Sequence, residues 1–128
     1  MLSARHRLRD SADIRRTLRG RRAGGHLVVV HAVRSPERDG LSARVGFVAS
    51  RAVGGAVIRN RVKRRLRDHV ARRFDLLPVG VDVLVRANPS AAEADYSHLG
   101  DEFERLLLRV LSRLPEVTPA SAVPATEG

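Results

Sequence analysis

The chain contains no cysteine, so disulfides and thiolate-ligated metal sites are excluded. It has no tryptophan, one tyrosine and three phenylalanines, and aromatics make up only 3% of it. Any core must therefore be built from Val, Leu, Ile and Ala. No apolar run approaches the roughly 18–20 residues that a bilayer span requires. The opening residues, MLSARHRLRD, lack the continuous apolar segment of a secretory signal. Together these absences predict a soluble cytoplasmic chain with no membrane partner. The five histidines show no metal-ligand spacing, and no internal repeat is visible. Paired carboxylates at acid–base spacing and a nucleophile elbow are also missing from the pattern. What remains is a binding protein without autonomous chemistry.

What the chain does have is positive charge. The formal net charge is +10 over 128 residues, with 43% apolar content, which suits a folded domain rather than a disordered polycation. The charge is uneven: residues 1–73 balance at +15 and residues 74–128 at −5. Such asymmetry implies a half that binds a polyanion and a half that is structural. Nucleic acid is favoured over an anionic membrane surface, because no basic stretch carries the wide aromatic and leucine face of an interfacial helix. Of the 24 basic residues only Lys63 is a lysine, a bias of composition. That one compact ammonium nevertheless falls inside the most basic run.

This run, GGAVIRNRVKRRLRDHVARR over residues 54–73, organises the rest. Ile58, Val62, Leu66, Val70 and Phe74 recur at a four-residue step and form one apolar stripe on a helix. The other faces carry arginines, with Asp68 as the single acid. Two glycines at the helix start leave backbone N–H groups open to anions, although no Walker spacing follows. Asn60 is the one neutral polar residue in the basic core, and a specific contact is favoured for it over a plain surface amide.

Taken in order, a basic arm over residues 1–9 precedes a helix capped by Asp10 or Ser11 and running to about Arg19, ended by Gly20 and the glycine pair at 24–25. Residues 26–34 read as a strand, SPERDG as a turn and residues 43–50 as a second strand. The two strands are expected to form an antiparallel hairpin, with a bulge at Gly46. After the basic helix and Pro78, residues 79–87 alternate as a strand with Val81, Val83 and Val85 on one face. A long helix is expected over residues 91–114, starting or bending at Gly100. Asp10, Asp13 and Asp68 are read as ion-pairing partners of arginines, and His69 as a packed or surface residue. The pattern is helix, strand, strand, helix, strand, helix, with room for one further short strand in the first half. This is an α+β sandwich, one domain over residues 1–114. The Pro-, Ala-, Ser- and Thr-rich residues 115–128 are expected to form a disordered tail.

At this point a family resemblance becomes specific. Arg44-Val45-Gly46, Ser50-Arg51, Gly54-Gly55-Ala56-Val57, and Arg59-Asn60-Arg61-Val62-Lys63-Arg64 with Arg67 resemble the protein subunit of bacterial ribonuclease P. His6-Arg7-Leu8 in the arm extends the likeness, which reaches over all but the tail. The resemblance implies an αβββαβα fold with a small, mainly antiparallel sheet and a left-handed βαβ crossover, like the second domain of a small-subunit ribosomal protein. It implies an accessory role in ribonuclease P, whose RNA subunit carries the active site and, with the substrate, the Mg²⁺ ions. That holoenzyme removes the 5′ leader of precursor tRNA. The partners it implies are the catalytic RNA and precursor tRNA, with a monomeric protein in a 1:1 complex. Arg59, Asn60, Arg61, Lys63, Arg64 and Arg67 would contact RNA, with further phosphate contacts from Arg51, Arg65, Arg7 and Arg9. Ile14, Leu18, His31 and Val48 would line a cleft for single-stranded leader. No catalytic or metal-ligating residue is expected in the protein. This chain departs from the family where Ile14 and Leu18 replace helix aromatics, His31 replaces a frequent Tyr, and Ala52 follows Arg51 in place of a base. The competing readings are a ribosomal-type RNA-binding module and, less favoured for want of a helix-turn-helix pair, a DNA-binding domain.

Overall fold

A computed structural model describes residues 2–114; the tail expected over residues 115–128 lies outside the described residues. The elements are α1 (Ser11–Leu18), β1 (Arg21–Gly24), β2 (Val28–Arg34), β3 (Arg44–Ala49), α2 (Ala56–Arg72), β4 (Val81–Ala87) and α3 (Tyr96–Ser112), joined by short 3₁₀ turns. The order is αβββαβα. The sheet runs β1-β2-β4-β3, with β1–β2 and β2–β4 antiparallel and β3–β4 parallel.

That topology corrects three expectations. The strands at 28–34 and 44–49 do not pair with each other, because β4 lies between them. The hairpin is instead β1–β2, formed where the glycine-bounded residues Arg21–Gly24 turn back on Val29–Ala32. β3 joins the sheet through α2, as a parallel βαβ unit requires a crossover. Gly46 makes no bulge, since the β3–β4 register runs unbroken from Arg44 opposite Asp82 to Ala49 opposite Ala87. It marks a close approach: a Cβ there would stand 2.9 Å from the Leu8 carbonyl oxygen and 3.1 Å from a Leu84 methyl. The last helix begins at Tyr96, not near 91, because Asp95 accepts the His98 N–H at 2.8 Å as an N-cap. Gly100 sits inside that helix, which runs on through it. Its missing side chain makes room for the His69 ring, whose Cε1 would lie 2.3 Å from an added Cβ.

Strand alternation divides the molecule into two layers on either side of the sheet. Val28, Val30, Ala32, Val45, Val81, Val83 and Val85 face one way and are at most 1% exposed. Against them pack α3, across β1 and β2, and α2, across β3. α2 contributes the expected seam: Val62, Leu66 and Val70 are buried and Ile58 is partly so. Phe74 lies just beyond the helix, in a 3₁₀ turn, with its ring 4.3 Å from that of His6. α3 contributes Leu99, Phe103, Leu106, Leu107 and Val110, and its Glu102 carboxylate accepts the backbone N–H groups of Leu27 and Val28 at 2.6 and 2.9 Å. Among the described residues, α1 and the arm cover the opposite face. The arm runs beside β3, where Arg7 bridges to Val45 and the Leu8 N–H donates to the Val45 carbonyl at 3.0 Å. It thereby covers part of an otherwise bare sheet edge.

Candidate nucleic-acid interface

The site begins with how α2 is anchored. Its apolar seam faces the sheet, so the arginines between seam positions are carried outward or sideways. Asn60 and Arg64 are exposed, and Arg59, Arg61, Lys63, Arg65 and Arg67 are half-buried. Two of the half-buried guanidiniums are fastened to the turn before α3. Arg61 donates to the Ala92 carbonyl at 3.1 Å and Arg65 to the Ala94 carbonyl at 3.2 Å. Arg67 stands over the Phe47 ring, 5.7 Å from its centroid. The Nε atoms of Arg59 and Arg61 are enclosed and make no intramolecular hydrogen bond. The helix starts at Gly55 with no side chain capping it, so its first N–H groups stay open. Arg51, on the turn after β3, is exposed.

Among the described residues, none of Arg51, Arg59, Arg61, Lys63, Arg64, Arg65 and Arg67 pairs with a carboxylate. The C-terminal end of the same helix is different. Arg72 meets Asp68 at 3.0 Å and Arg73 meets Glu104 at 2.8 Å. Asp68 also accepts the Tyr96 hydroxyl; that bond first, and then Arg72, hold its carboxyl below the ordinary range. Charge is thus neutralised from inside at one end of α2 and left unneutralised at the other. On the arm, Arg7 is half-buried, with its Nε donating to the Leu2 carbonyl at 3.2 Å, and Arg9 is exposed.

The second surface is the sheet face shared with α1. Cross-strand register sets up rows on it: Gly46, Leu84, His31 and Arg22 in one, and Val48, Arg86 and Val29 in the next. Ile14, Val48, Val29 and Arg86 are half-buried and Leu18 is exposed. Ile14, Leu18, His31 and Val48 therefore belong to one side of the molecule, but not with equal access. His31 is 3% exposed, so its ring is not offered for stacking here. Neither ring nitrogen completes a hydrogen bond. Burial first, then Arg86 and Arg22, push its pKa below the ordinary value, against a smaller opposing pull from the Leu18 backbone. Arg86 is not among the residues expected from the sequence to matter. Its Nε is enclosed without a partner, beside Val48 in the register. The signal for it is an arginine alternating with valines in an apolar strand.

The family model for ribonuclease P matches residues 2–111. The chain belongs to the ribonuclease P protein family. It is 52% identical to the ribonuclease P protein component of a Nocardioides species over 111 residues, covering 86% of this chain and 95% of the relative. The counterpart from Acidothermus cellulolyticus is 47% identical, with 86% and 92% covered. Among solved structures, a mutant RNase P protein from Staphylococcus aureus superposes with a TM-score of 0.73 at 25% identity, covering 81% of this chain and 86% of that one. The Thermotoga maritima RNase P protein gives 0.67 at 25% identity, covering 85% and 97%.

This ribonuclease P family member holds its two surfaces in place with polar contacts, and the cluster at Asp82 is not legible in the sequence. Asp82, on β4, is fully buried. Arg44 grips it with both prongs, Nε to Oδ1 at 2.9 Å and Nη2 to Oδ2 at 2.8 Å. Arg16 reaches it from α1 at 3.2 Å, while also meeting Asp13 and Ser35 at 3.1 Å each. Arg38 approaches at 3.9 Å. The Asp82 hydrogen bond is the main cause holding Arg44 above arginine's ordinary value. This cluster ties α1 to the sheet and so sets one wall of the second surface. Asp10 caps α1, accepting the Ala12 and Asp13 N–H groups at 3.1 and 3.3 Å. His69 joins α2 to α3. Its ring stacks on Tyr96 at 3.9 Å, with Nε2 2.8 Å from the Tyr96 carbonyl and Nδ1 3.1 Å from an Arg73 nitrogen. A carbonyl needs a donor and a guanidinium needs an acceptor, so the network assigns a neutral ring protonated at Nε2. Burial first, and also Arg73, lower its pKa in agreement.

Proposed function

We propose that this chain is the protein subunit of a ribonuclease P holoenzyme, a monomer binding one catalytic RNA in the cytoplasm. The basic face of α2 docks on that RNA, and the α1 side of the sheet receives the 5′ leader of precursor tRNA. The observation that carries this reading is the set of cations on α2 with no internal carboxylate. Water solvates these cations in the free protein, and phosphates would take up the positions that no internal acid fills and release counterions. The uncapped start of α2 adds N–H donors suited to the same ligand. Arg61 and Arg65, held to backbone carbonyls of the following turn, reach phosphate with fewer rotamers to lose.

Catalysis is assigned to the RNA. Among the described residues no group of three or more His, Cys, Asp or Glu side chains is placed to hold a metal ion. Asp68, the acid on α2, is already engaged by Arg72 and Tyr96. In this reading the Mg²⁺ ions belong to the RNA and substrate, as the family resemblance implies, and would supply the Lewis-acid chemistry there. The protein's part is to offset phosphate repulsion, so that the complex assembles at lower Mg²⁺. With His31 covered and Ile14 and Leu18 aliphatic, the leader surface grips by apolar contact at Val48 and by charge at Arg86, more than by aromatic stacking.

The test is to mix the protein with a bacterial ribonuclease P RNA and precursor tRNA at low Mg²⁺. Stimulated 5′ cleavage is expected, and affinity should rise as the leader is lengthened by a few nucleotides. No stimulation at any Mg²⁺ concentration would return the chain to the reading of a plain ribosomal-type RNA-binding module. Stimulation without leader-length dependence would remove the leader surface alone.

A further inference from the structure

We propose that the groove between the arm, β3 and α2 holds one unstacked RNA nucleotide, its base against Phe47 and Arg67 and its phosphate against Arg7 and Arg9. The proposal rests on the reading that the chain binds RNA, and adds a base-binding site at the edge of the α2 surface. The groove has a volume of about 470 Å³, and Arg7, Arg9, Arg67, Phe47, Gly46 and Leu8 line it. By alternation along β3, Phe47 points away from the face that carries Val48.

Three features converge there. The Phe47 ring is half-buried, with Arg67 5.7 Å from its centroid. An aromatic face beside a planar guanidinium is a stacking platform for any base. Next, Arg7, Arg9 and Arg67 all lack a carboxylate partner among the described residues. Finally, the strand edge is open. The arm bonds to β3 at Val45, through the Leu8 N–H, and then leaves to cap α1 with Asp10. Two residues further along a strand the backbone groups point the same way, so the Phe47 N–H and C=O face the groove where the arm no longer covers them. A base edge or ribose hydroxyl fits such a donor–acceptor pair. Arg67 also lies three and four residues after Arg64 and Lys63, so the groove continues the phosphate path of α2.

The nucleotide could come from the catalytic RNA or from the precursor's leader, and binding measured separately distinguishes them. The variants are Phe47→Leu, Phe47→Tyr and Arg9→Gln, each titrated against ribonuclease P RNA alone and, in the reconstituted holoenzyme, against precursor and mature tRNA. Loss of one stacked base predicts that Phe47→Leu weakens one of these affinities by about 5- to 100-fold. Phe47→Tyr should restore most of it, and Arg9→Gln should weaken the same arm with a shallower salt dependence. Weakening towards the RNA alone assigns the nucleotide to the catalytic RNA; weakening only towards leader-bearing precursor assigns it to the leader. A folded Phe47→Leu protein with unchanged affinity in both arms overturns the groove while Arg61→Ala still weakens binding. Should Phe47→Leu fail to fold, an Arg9→Gln protein with unaltered affinity and salt slope in both arms overturns it equally. If the wild-type protein binds neither RNA, the underlying RNA reading fails instead.

Discussion

Two groups of arginine meet opposite fates in this fold. Arg16, Arg38 and Arg44 converge on the buried Asp82 and are spent on holding α1 to the sheet. Arg59, Arg61, Arg64, Arg65 and Arg67, with Lys63, stand on α2 without any carboxylate among the described residues. The residue type is the same. What differs is whether the opposite strand or helix brings an acid. A basic composition therefore says little about binding until the internal partners have been subtracted. The unmatched remainder is the part that a polyanion can use.

The comparison breaks hardest at Asp82. Asp82→Ala leaves three guanidiniums around an empty acceptor site, and should cost about 3–5 kcal/mol of stability by urea or thermal unfolding. A loss below about 1 kcal/mol would mean that solvent already satisfies those arginines. Gly100→Ala should come next. It forces the His69 ring from its place between α2 and α3, at about 1–3 kcal/mol, with RNA affinity per folded molecule little changed. The third effect is on pH. His31 and His69 both have native pKa values below the ordinary 6.5, chiefly through burial. As pH falls through that value the unfolded chain takes up the proton first, so stability is full above about 6.5 and declines below it. The decline levels off once the native values are passed. His69→Gln should flatten part of this slope, and an unchanged slope would show that the ring titrates freely. The smallest effect on stability is expected from Arg64→Ala, within about 0.5 kcal/mol, because its side chain is exposed and unpaired. Its effect belongs to binding instead.

Much of this is legible in the sequence, for identifiable reasons. The four-residue step from Ile58 to Val70 fixes which side of α2 is buried, and hence which residues are left outside. The motif residues from Arg44 to Arg67 point to the family, and the cap of α1 is narrowed to Asp10 or Ser11, of which the structure uses Asp10. Strand pairing is not legible. Alternation along residues 44–49 tells which side chains share a face, but is the same for a parallel or an antiparallel neighbour. The insertion of β4 between β2 and β3 is decided by how α2 crosses over. Asp82 is hidden for a similar reason: one acid in a valine-rich strand looks solvent-facing until Arg44 and Arg16 are brought onto it from other elements. His31 falls on the expected face, yet its burial depends on where α1 lies. Gly46 and Gly100 each turn out to make room for a neighbour, Leu8 in one case and His69 in the other, which only packing reveals.

The most direct test compares two arginines of the same helix. Binding of the protein to ribonuclease P RNA is measured across a salt series for wild type, Arg64→Ala and Arg72→Ala. Arg64 is unpaired, whereas Arg72 is held by Asp68 at 3.0 Å. Removing Arg64 should lower the log–log salt slope by about 0.7–0.9, the share of one phosphate contact, and weaken binding. Removing Arg72 should leave the slope within error of wild type. Equal changes for the two, or none for Arg64, would contradict the claim that unneutralised charge marks the interface.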